Sequence, residues 1–461
     1  MIDRRELLSL ATASVVATAT NAHAALAAAP RISNPHGKPL RSAEIRALRK
    51  FAEQTHPRGR EARDDRLWQS RWARLERTAQ NLSDGAYFVE ARRAIAWFED
   101  GHTTVLPFEF LGKVPDALAA GPFGLRLPWR VKLFDDGAYV VAAENGESQI
   151  FGARVDRVGS MTVPALVRAL DATWPGNRAW AHNWGGIVFA SPAQLQGLGA
   201  MKDGRSAVPV RISGVSLDEF VLSPRREETL LTDMVHTKSE REAWAAAIGR
   251  GNYVKALPDR RALYVSIDDM DDVEGATFEQ LTKDLFSAMD LPAADRLVID
   301  LRRNGGGNNF LGEALRKHVE RSRFNRPGGL YVLIGSATFS AAQNLANRLE
   351  RETYATFVGT PTGLSPNHYG DAKIFTGPST GLTAMVSTLP WFDSYPQDKR
   401  AWIMPDLLVP STFADWRDGR DSALALALTH RSESASDDLS DERVFYYNRA
   451  SQKAEWRPFW V

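Results

Sequence analysis

Two short segments of the sequence carry residue types suited to acyl transfer: a glycine-rich turn and a serine at the start of a helix. The turn covers residues 302–308 (RRNGGGN) and follows an apolar strand that the pattern predicts over residues 297–301. Consecutive glycines let the backbone approach a ligand closely and direct amide groups outward, as an oxyanion hole requires. From the glycines alone, a simple tight turn before a helix is an equally good interpretation.

The serine is Ser340, which follows a second predicted strand, residues 330–334, and begins a helix predicted over residues 340–349. In the first turn of a helix, the backbone amides and the positive end of the dipole favour a developing anion. A serine at this position is also the usual helix N-cap. Together with the glycine turn, the placement favours a nucleophile. The segment contains neither the G-x-S-x-G of α/β-hydrolases nor the Gly-Lys-Ser/Thr of a phosphate loop.

These segments resemble the signatures of the S41 serine peptidases, the tail-specific and tricorn-like group. Residues 300–307 (DLRRNGGG) are similar to its D-L-R-x-N-x-G-G signature, and residues 338–341 (TFSA) to its nucleophile motif. Residues 358–363 and 404–406 resemble the downstream G-x-x-T-G and P-D elements. The resemblance implies a ClpP/crotonase-like core and hydrolysis of peptide bonds without a cofactor or metal.

The same resemblance implies the parts of the site that would hold the reacting carbonyl group. By position, the oxyanion donors are the backbone amides of Gly306 and Ala341. Gly305 and Gly307 would then lie beside the bound substrate, which is expected to be a peptide or an unfolded protein.

The general base is predicted to be a histidine. No lysine occurs between Ser340 and Lys373, which disfavours the Ser–Lys dyad of one branch of the group. The tricorn-like branch takes its histidine from an earlier domain, and residues 99–104 (EDGHTT) are similar to that pattern. An imidazole can accept the hydroxyl proton near pH 7 and return it to the leaving amine. His102 is therefore the predicted base, with His368 as an alternative base or a residue that lines the cleft.

An orienting carboxylate is implied shortly before the P-D element. Asp398 is the best positional match, although the group ordinarily has a glutamate there. Asp393 is the second choice, and a surface aspartate without a catalytic role is the alternative for Asp398.

Composition excludes several classes of function. Lys and Arg total 57 and Asp and Glu total 56, so a net charge of +1 gives no electrostatic basis for binding nucleic acid. The chain has no cysteine, which excludes disulfides, thiolate nucleophiles and Cys-based metal sites.

The first 24 residues are predicted to be a signal peptide. Arg4 and Arg5 form a basic start, residues 7–20 are moderately apolar, and residues 22–24 (AHA) offer an A-x-A cleavage site. The paired arginines favour the twin-arginine route. An uncleaved anchor is the alternative, but the run is too short and too polar to span a bilayer. We therefore expect an exported protein, periplasmic or secreted, without stable membrane insertion.

Four segments are predicted after the signal peptide, within an α/β fold class. They are an N-terminal helical domain (residues 25–104), a β-rich PDZ-like module (105–255), the S41 core (256–435) and a C-terminal strap (436–461). The helical spacing of apolar residues in 41–99, the strand–turn–helix pattern of 152–170 and the α/β alternation after 256 support this division.

Two other classes of function remain open from the sequence. Interphotoreceptor retinoid-binding protein repeats the same fold, so the chain could be a catalytically weak or inactive protein that binds peptides or lipophilic ligands. Crotonase-like folds also use a backbone oxyanion hole for acyl-thioester chemistry, which the predicted export disfavours.

Overall fold

The computed structural model describes residues 40–108, 114–226, 234–236, 251–272, 277–290 and 292–431. The predicted signal peptide and the predicted C-terminal strap lie outside these residues. The chain divides into two compact units. The described residues of the N-terminal unit run up to 236 and include 369–390, and those of the C-terminal unit are 251–368 and 391–431. The domain boundaries given above stay predictions.

Helices begin the N-terminal unit, as the periodicity of residues 41–99 predicts. Side-chain caps start two of them: Asp65 accepts a hydrogen bond from the Trp68 amide, and Ser83 accepts one from the Ala86 amide. The buried rings of Trp68 and Trp72 pack with their centroids 5.1 Å apart. The helices are α1 (Arg41–Thr55), α2 (Gly59–Asp64), α3 (Arg66–Thr78) and α4 (Asp84–Ile95), followed by a 3-10 turn at Ala96–Phe98.

A seven-stranded sheet forms the second part of this unit. Its path is β10-β4-β5-β7-β8, with β3 on β4 and β6 on β5, and β2 pairs with β9 separately. The strands are β1 (Thr104–Val105), β2 (Leu125–Arg126), β3 (Trp129–Phe134), β4 (Gly137–Glu144), β5 (Arg154–Val158), β6 (Met161–Thr162), β7 (Val208–Ser213), β8 (Glu219–Leu222), β9 (Arg225–Arg226) and β10 (Met234–His236).

Helices interrupt the region that the sequence predicts as β-rich. They are α5 (Asp116–Ala119), α6 (Val163–Asp171), α7 (Arg178–Ala190) and α8 (Pro192–Leu198). The strand–turn–helix step into α6 is predicted correctly. Helix α7 was not predicted, because its Trp-rich sequence is buried on more than one side, which weakens the amphipathic signal.

A three-stranded sheet completes the N-terminal unit, in the order β1-β18-β17. Strand β17 is Lys373–Thr376 and β18 is Thr383–Val386. Thr104 of β1 lies opposite Met385 of β18. The predicted S41 core, residues 256–435, includes the apolar run 382–387, which we expect to be a strand of that core, whereas the structure pairs this strand with β1. The strand with which it pairs decides which sheet it joins, and an apolar run in the sequence does not indicate that partner.

The C-terminal unit is a six-stranded sheet in the order β11-β12-β13-β14-β15-β20. Strand β11 is antiparallel to β12, and every other pair is parallel. The strands are β11 (Tyr253–Leu257), β12 (Ala262–Ser266), β13 (Arg296–Asp300), β14 (Leu330–Ile334), β15 (Thr356–Gly359) and β20 (Leu407–Leu408). Strands β16 (Asn367–Gly370) and β19 (Leu389–Phe392) contain the points at which the chain passes between units.

Helices cover both faces of this sheet, as buried parallel strands require. Three of them contribute to the larger core, which includes Ile299, Val332, Leu285, Val319 and Leu345. Helix α13 packs on the opposite face, against Val298 and Leu333. The helices are α9 (Phe278–Met289), α10 (Gly312–Arg321), α11 (Ala341–Glu352), α12 (Phe413–Arg417) and α13 (Ser422–Thr429). The ClpP/crotonase-like core and the PDZ-like module remain predictions.

Candidate active site

The loop between β14 and α11 presents Ser340 and is tied to the glycine turn. Thr338 Oγ1 accepts a hydrogen bond from the Gly335 amide at 3.1 Å and donates one to the Leu301 carbonyl at 2.8 Å. The Phe339 amide donates to the Asn304 carbonyl at 3.1 Å. Because Leu301 and Asn304 belong to the segment that follows β13, these bonds hold the ends of two neighbouring strands together.

Ser340 has a strained backbone. Its φ of 53° and ψ of −124° lie in a region that non-glycine residues rarely adopt, at a cost of about 1–3 kcal/mol. Ser340 lies at the N-cap position of α11, but its side chain makes no capping hydrogen bond to the helix. A strained strand-to-helix turn of this kind presents a serine hydroxyl instead of using it to close the helix.

Gly306 packs directly against this serine. Its φ is 113°, and a Cβ built on it would lie 2.4 Å from Ser340 Cβ and 3.0 Å from Ser340 Oγ. Such distances exclude any side chain, so the glycine is needed both for its conformation and for its close approach. The glycine turn is therefore part of the serine's surroundings as well as a connection to α10.

The Gly306 amide does not match its predicted role. It donates to Asn304 Oδ1 at 2.8 Å, while Asn304 Nδ2 donates to the Ile267 carbonyl at 2.9 Å. An asparagine side chain commonly accepts a hydrogen bond from the backbone amide two residues on. Here that bond engages the Gly306 amide, which was the expected oxyanion donor. Among the described residues, the amides of Gly307 and Ala341 make no hydrogen bond.

An acidic segment holds the other side of the glycine turn. The Met270 amide donates to the Gly306 carbonyl, and the Asn308 amide donates to the Met270 carbonyl, both at 2.9 Å. Beside it, burial raises the pKa of Asp269 to about 7, and the negative charges of Asp271 and Asp268 act in the same direction. Among the described residues, no group of three or more His, Asp or Glu side chains could hold a metal ion.

His102 lies in the N-terminal unit, in a loop built around Asp100. The chain leaves the 3-10 turn after α4 through Glu99, whose φ is 54°. Asp100 Oδ1 then accepts the His102 amide at 3.1 Å, and Asp100 Oδ2 accepts the hydroxyls of Thr103 at 2.6 Å and Ser387 at 2.5 Å. His102 Nδ1 lies 3.9 Å from Asp100 Oδ1.

Burial controls the protonation of this loop. It lowers the pKa of His102, an effect that the charges of Asp100 and Asp371 and a hydrogen bond with the Tyr369 backbone partly offset. Burial alone would raise the pKa of Asp100, but His56, His102, Ser387 and Thr103 together hold that pKa below its ordinary value. The loop therefore combines an ionised carboxylate with an imidazole that is neutral near pH 7.

The predicted orienting carboxylates both pair with arginines in the C-terminal unit. Asp398 Oδ2 lies 2.8 Å from Arg400 Nη2 and accepts the Ser394 hydroxyl at 2.6 Å. Burial opposes ionisation, but these bonds lower the pKa of Asp398 to about 2. Asp393 pairs with Arg348 at 3.1 Å. Each carboxylate therefore has an arginine partner that sequence position could not indicate.

Arg400 links Asp398 to the helix that Ser340 begins. Its two terminal nitrogens bond to the carboxylate oxygens of Glu350 in α11, each at 2.8 Å. His368 is also buried in this unit, with Nδ1 3.1 Å from the Ser365 carbonyl. A carbonyl can only accept, so Nδ1 of His368 carries the proton.

The structure brings Ser340, Ala341 and the three glycines 305–307 together within the C-terminal unit, whereas His102 belongs to the N-terminal unit. Sequence reasoning missed Asn304, Thr338, His56 and Ser387 as residues that support the site. The asparagine two positions before a glycine was a usable signal for a local turn. No sequence signal links His56 and Ser387 to Asp100, because both lie far away along the chain.

Several solved structures are similar to this chain in their overall architecture. The crystal structure of a CPAF mutant is similar with a TM-score of 0.56 and 14% identity, over 86% of this chain and 99% of that one. Mature CPAF complexed with lactacystin is similar with a TM-score of 0.54 and 13% identity, over 82% and 95% of the two chains. The chain has an S41-like peptidase fold.

The sequence matches no protein-family model and no curated protein. A photosystem II D1 C-terminal processing protease is more distantly similar, with a TM-score of 0.38 and 14% identity over 80% of this chain and 93% of that one. Within the residues that the structure describes, no helix is both long and apolar enough to cross a bilayer.

Proposed function

We propose that the protein is an exported serine peptidase that cleaves peptide bonds through an acyl-enzyme on Ser340. The observation that carries the proposal is that Ser340 has a strained backbone, makes no capping hydrogen bond with its side chain and has Gly306 packed against it. The similarity to serine proteases of the S41 type supports the same reaction class. A strained serine at a helix start has a preorganised, positively polarised environment for the charge that develops during acyl transfer.

In the proposed reaction, His102 takes the Ser340 proton as Oγ attacks the substrate carbonyl carbon. The negative charge then moves to the carbonyl oxygen, which accepts hydrogen bonds from the Ala341 amide and from the glycine turn. Gly307 is the better glycine donor because the Gly306 amide already donates to Asn304. The protonated histidine gives its proton to the leaving amine, and a water molecule deprotonated by the same histidine releases the acid.

A fluorophosphonate probe tests the nucleophile. We expect the wild-type protein to be labelled and Ser340→Ala to be unlabelled. Ser336→Ala is the matched control, since Ser336 lies in the same loop, is also half-buried and should leave labelling unchanged. Labelling that persists in Ser340→Ala would move the nucleophile elsewhere. If the folded wild-type protein never reacts, the alternative of an inactive protein that binds peptides or lipophilic ligands is favoured. Binding of a fluorescent lipophilic probe or of a labelled peptide would then test that alternative.

Export is proposed from the N-terminal residues alone. Cleavage after Ala24 would give a mature chain that begins at Ala25, and N-terminal sequencing of the protein recovered from outside the cytoplasm checks this. Replacing Arg4 and Arg5 together with lysine should block export if the twin-arginine route is used. Export that continues unchanged in this double variant would contradict that route.

A further inference from the structure

Asp100 is the centre of a buried polar cluster in the N-terminal unit. This Asp100 cluster consists of Asp100, His102, His56, Thr103 and Ser387. The carboxylate of Asp100 receives hydroxyl hydrogen bonds from Thr103 and Ser387, and Thr103 Oγ1 in turn accepts the Ser387 amide at 3.0 Å. Asp100 is only 3% exposed, so its negative charge is stable only because hydrogen-bond donors surround it. The donors come from the loop itself and from the residue that follows β18.

The imidazole of His102 lies within the field of this carboxylate. Nδ1 of His102 is 3.9 Å from Asp100 Oδ1, longer than a hydrogen bond but short for two groups that are almost fully buried. Opposite charges at this distance attract each other much more strongly in a buried site than in water. A histidine that accepts a proton here therefore becomes a cation beside a carboxylate that is already ionised.

His56 occupies the other side of the same carboxylate. Its Nδ1 accepts the Arg58 amide at 3.0 Å, so the proton of the neutral ring is on Nε2, which lies 3.5 Å from Asp100 Oδ2. The ring packs between Phe98 and Tyr369, with centroid distances of 4.0 and 4.7 Å. These rings shield the cluster from water, and His56 presents an N–H group to the carboxylate.

We propose that Asp100, and not Asp398, is the positioning carboxylate of the reaction, which holds the loop of His102 and stabilises its imidazolium form. The inference rests on the proposed function in taking His102 as the general base. Asp398 is a poor candidate on contacts alone, because its carboxylate is engaged by the Arg400 guanidinium and the Ser394 hydroxyl. Among the residues that the structure describes, Asp100 pairs with no arginine or lysine, and its ion-pair partners are His56 and His102.

The charged groups around the cluster set the direction of the pH effect. The negative charges near His102 are Asp100 and the exposed Asp371, while Arg58, Glu61 and the Tyr369 hydroxyl face the His56 side. Asp100→Asn removes the nearest negative charge and leaves Asp371. We expect the pKa of His102 to fall, because the imidazolium loses its main stabilising partner while the ring remains buried.

The test compares Asp100→Asn with Asp398→Asn in the full-length protein, by the pH dependence of kcat/KM on a quenched fluorescent peptide. Asp100→Asn should shift the acidic limb to lower pH and reduce kcat by at least about tenfold, with KM within about twofold of wild type. Asp398→Asn should leave the limb in place. An unmoved limb in Asp100→Asn, or a shifted limb in Asp398→Asn, would overturn the proposal.

A milder pair of variants decides the question if Asp100→Asn does not fold. Ser387→Ala and Ser394→Ala each remove one hydroxyl bond to a carboxylate, the first to Asp100 and the second to Asp398. Ser387→Ala should lower kcat by about fivefold without changing KM, as expected for one lost hydrogen bond, and Ser394→Ala should not. A wild-type kcat in Ser387→Ala would count against Asp100.

NMR titration of the His102 ring separates this proposal from the proposed function. The measurement needs no turnover and can be made on the Ser340→Ala background. A lower pKa of His102 in Asp100→Asn shows that Asp100 stabilises the His102 imidazolium, even if no probe ever labels Ser340. An unchanged pKa refutes it even if the protein is an active peptidase.

Discussion

A Cβ atom at position 306 would lie 2.4 Å from Ser340 Cβ, far inside any van der Waals contact. Gly306→Ala should therefore displace the serine loop or the glycine turn. We expect fluorophosphonate labelling to slow by at least about 100-fold and the free energy of unfolding to fall by about 2 kcal/mol. Labelling rates and urea unfolding measure the two effects.

Gly335→Ala is the matched control in the same region. A Cβ at position 335 would meet Thr360 Oγ1 at 3.5 Å, an ordinary contact. This variant should keep most of the labelling rate. Equal rates for the two variants would show that the Gly306 contact has no role in reactivity.

The two candidate bases differ in their expected response to removal. His102→Ala should abolish cleavage of an unfolded protein substrate, because the variant lacks the general base that the proposed reaction requires. His368→Ala should only weaken it, because in the proposed reaction His368 lines the cleft and does not accept the Ser340 proton. Fluorescence release from a quenched, unfolded casein measures both. The opposite pattern would make His368 the base.

Asp398 should influence stability at acid pH. Its pKa is lowered to about 2, mainly by Arg400 and Ser394 acting against burial, whereas an unfolded aspartate has a pKa of about 3.9. The stabilisation is therefore fully present above the unfolded pKa and is lost as the pH falls toward 2. Asp398→Asn should lower the free energy of unfolding by about 1–2 kcal/mol at pH 7, with allowance for solvent screening. In urea unfolding, a gap from wild type that does not shrink at low pH would contradict this.

Asp269 should affect the pH dependence of stability in the opposite direction to Asp398. Burial and neighbouring carboxylates raise its pKa to about 7, so the folded protein holds a proton that the unfolded chain releases near pH 3.9. Wild-type stability should consequently decline between pH 4 and 7. Asp269→Asn keeps an oxygen that accepts the Asp271 amide. Its free energy of unfolding should exceed that of wild type by about 2 kcal/mol above pH 7 and should equal it at pH 4. Denaturation at both pH values checks this, and a constant difference would refute the pKa argument.

Much of the C-terminal unit could be predicted from the sequence because its signals are local. The run 330–334 is the observed β14, and the strand at 297–301 is displaced by one residue from β13. Buried parallel strands are continuous apolar runs, and a helix that follows such a strand begins at small or capping residues. The glycine turn and Ser340 stand out for the same reason, since few residues tolerate their backbone conformations.

The contacts of the candidate site were not predictable in this way. Asp100 and Ser387 lie 287 positions apart and meet because β18 pairs with β1, which the apolar pattern of residues 382–387 does not specify. Asp398 matches a catalytic carboxylate by position, yet its neighbour Arg400 engages it. The sequence by itself determined the glycine turn, the serine and the strands that lead to them, because these follow from local periodicity and backbone preference. Only the tertiary structure decided which amide is already bonded and which carboxylate faces His102, since those contacts depend on strand pairing between distant segments.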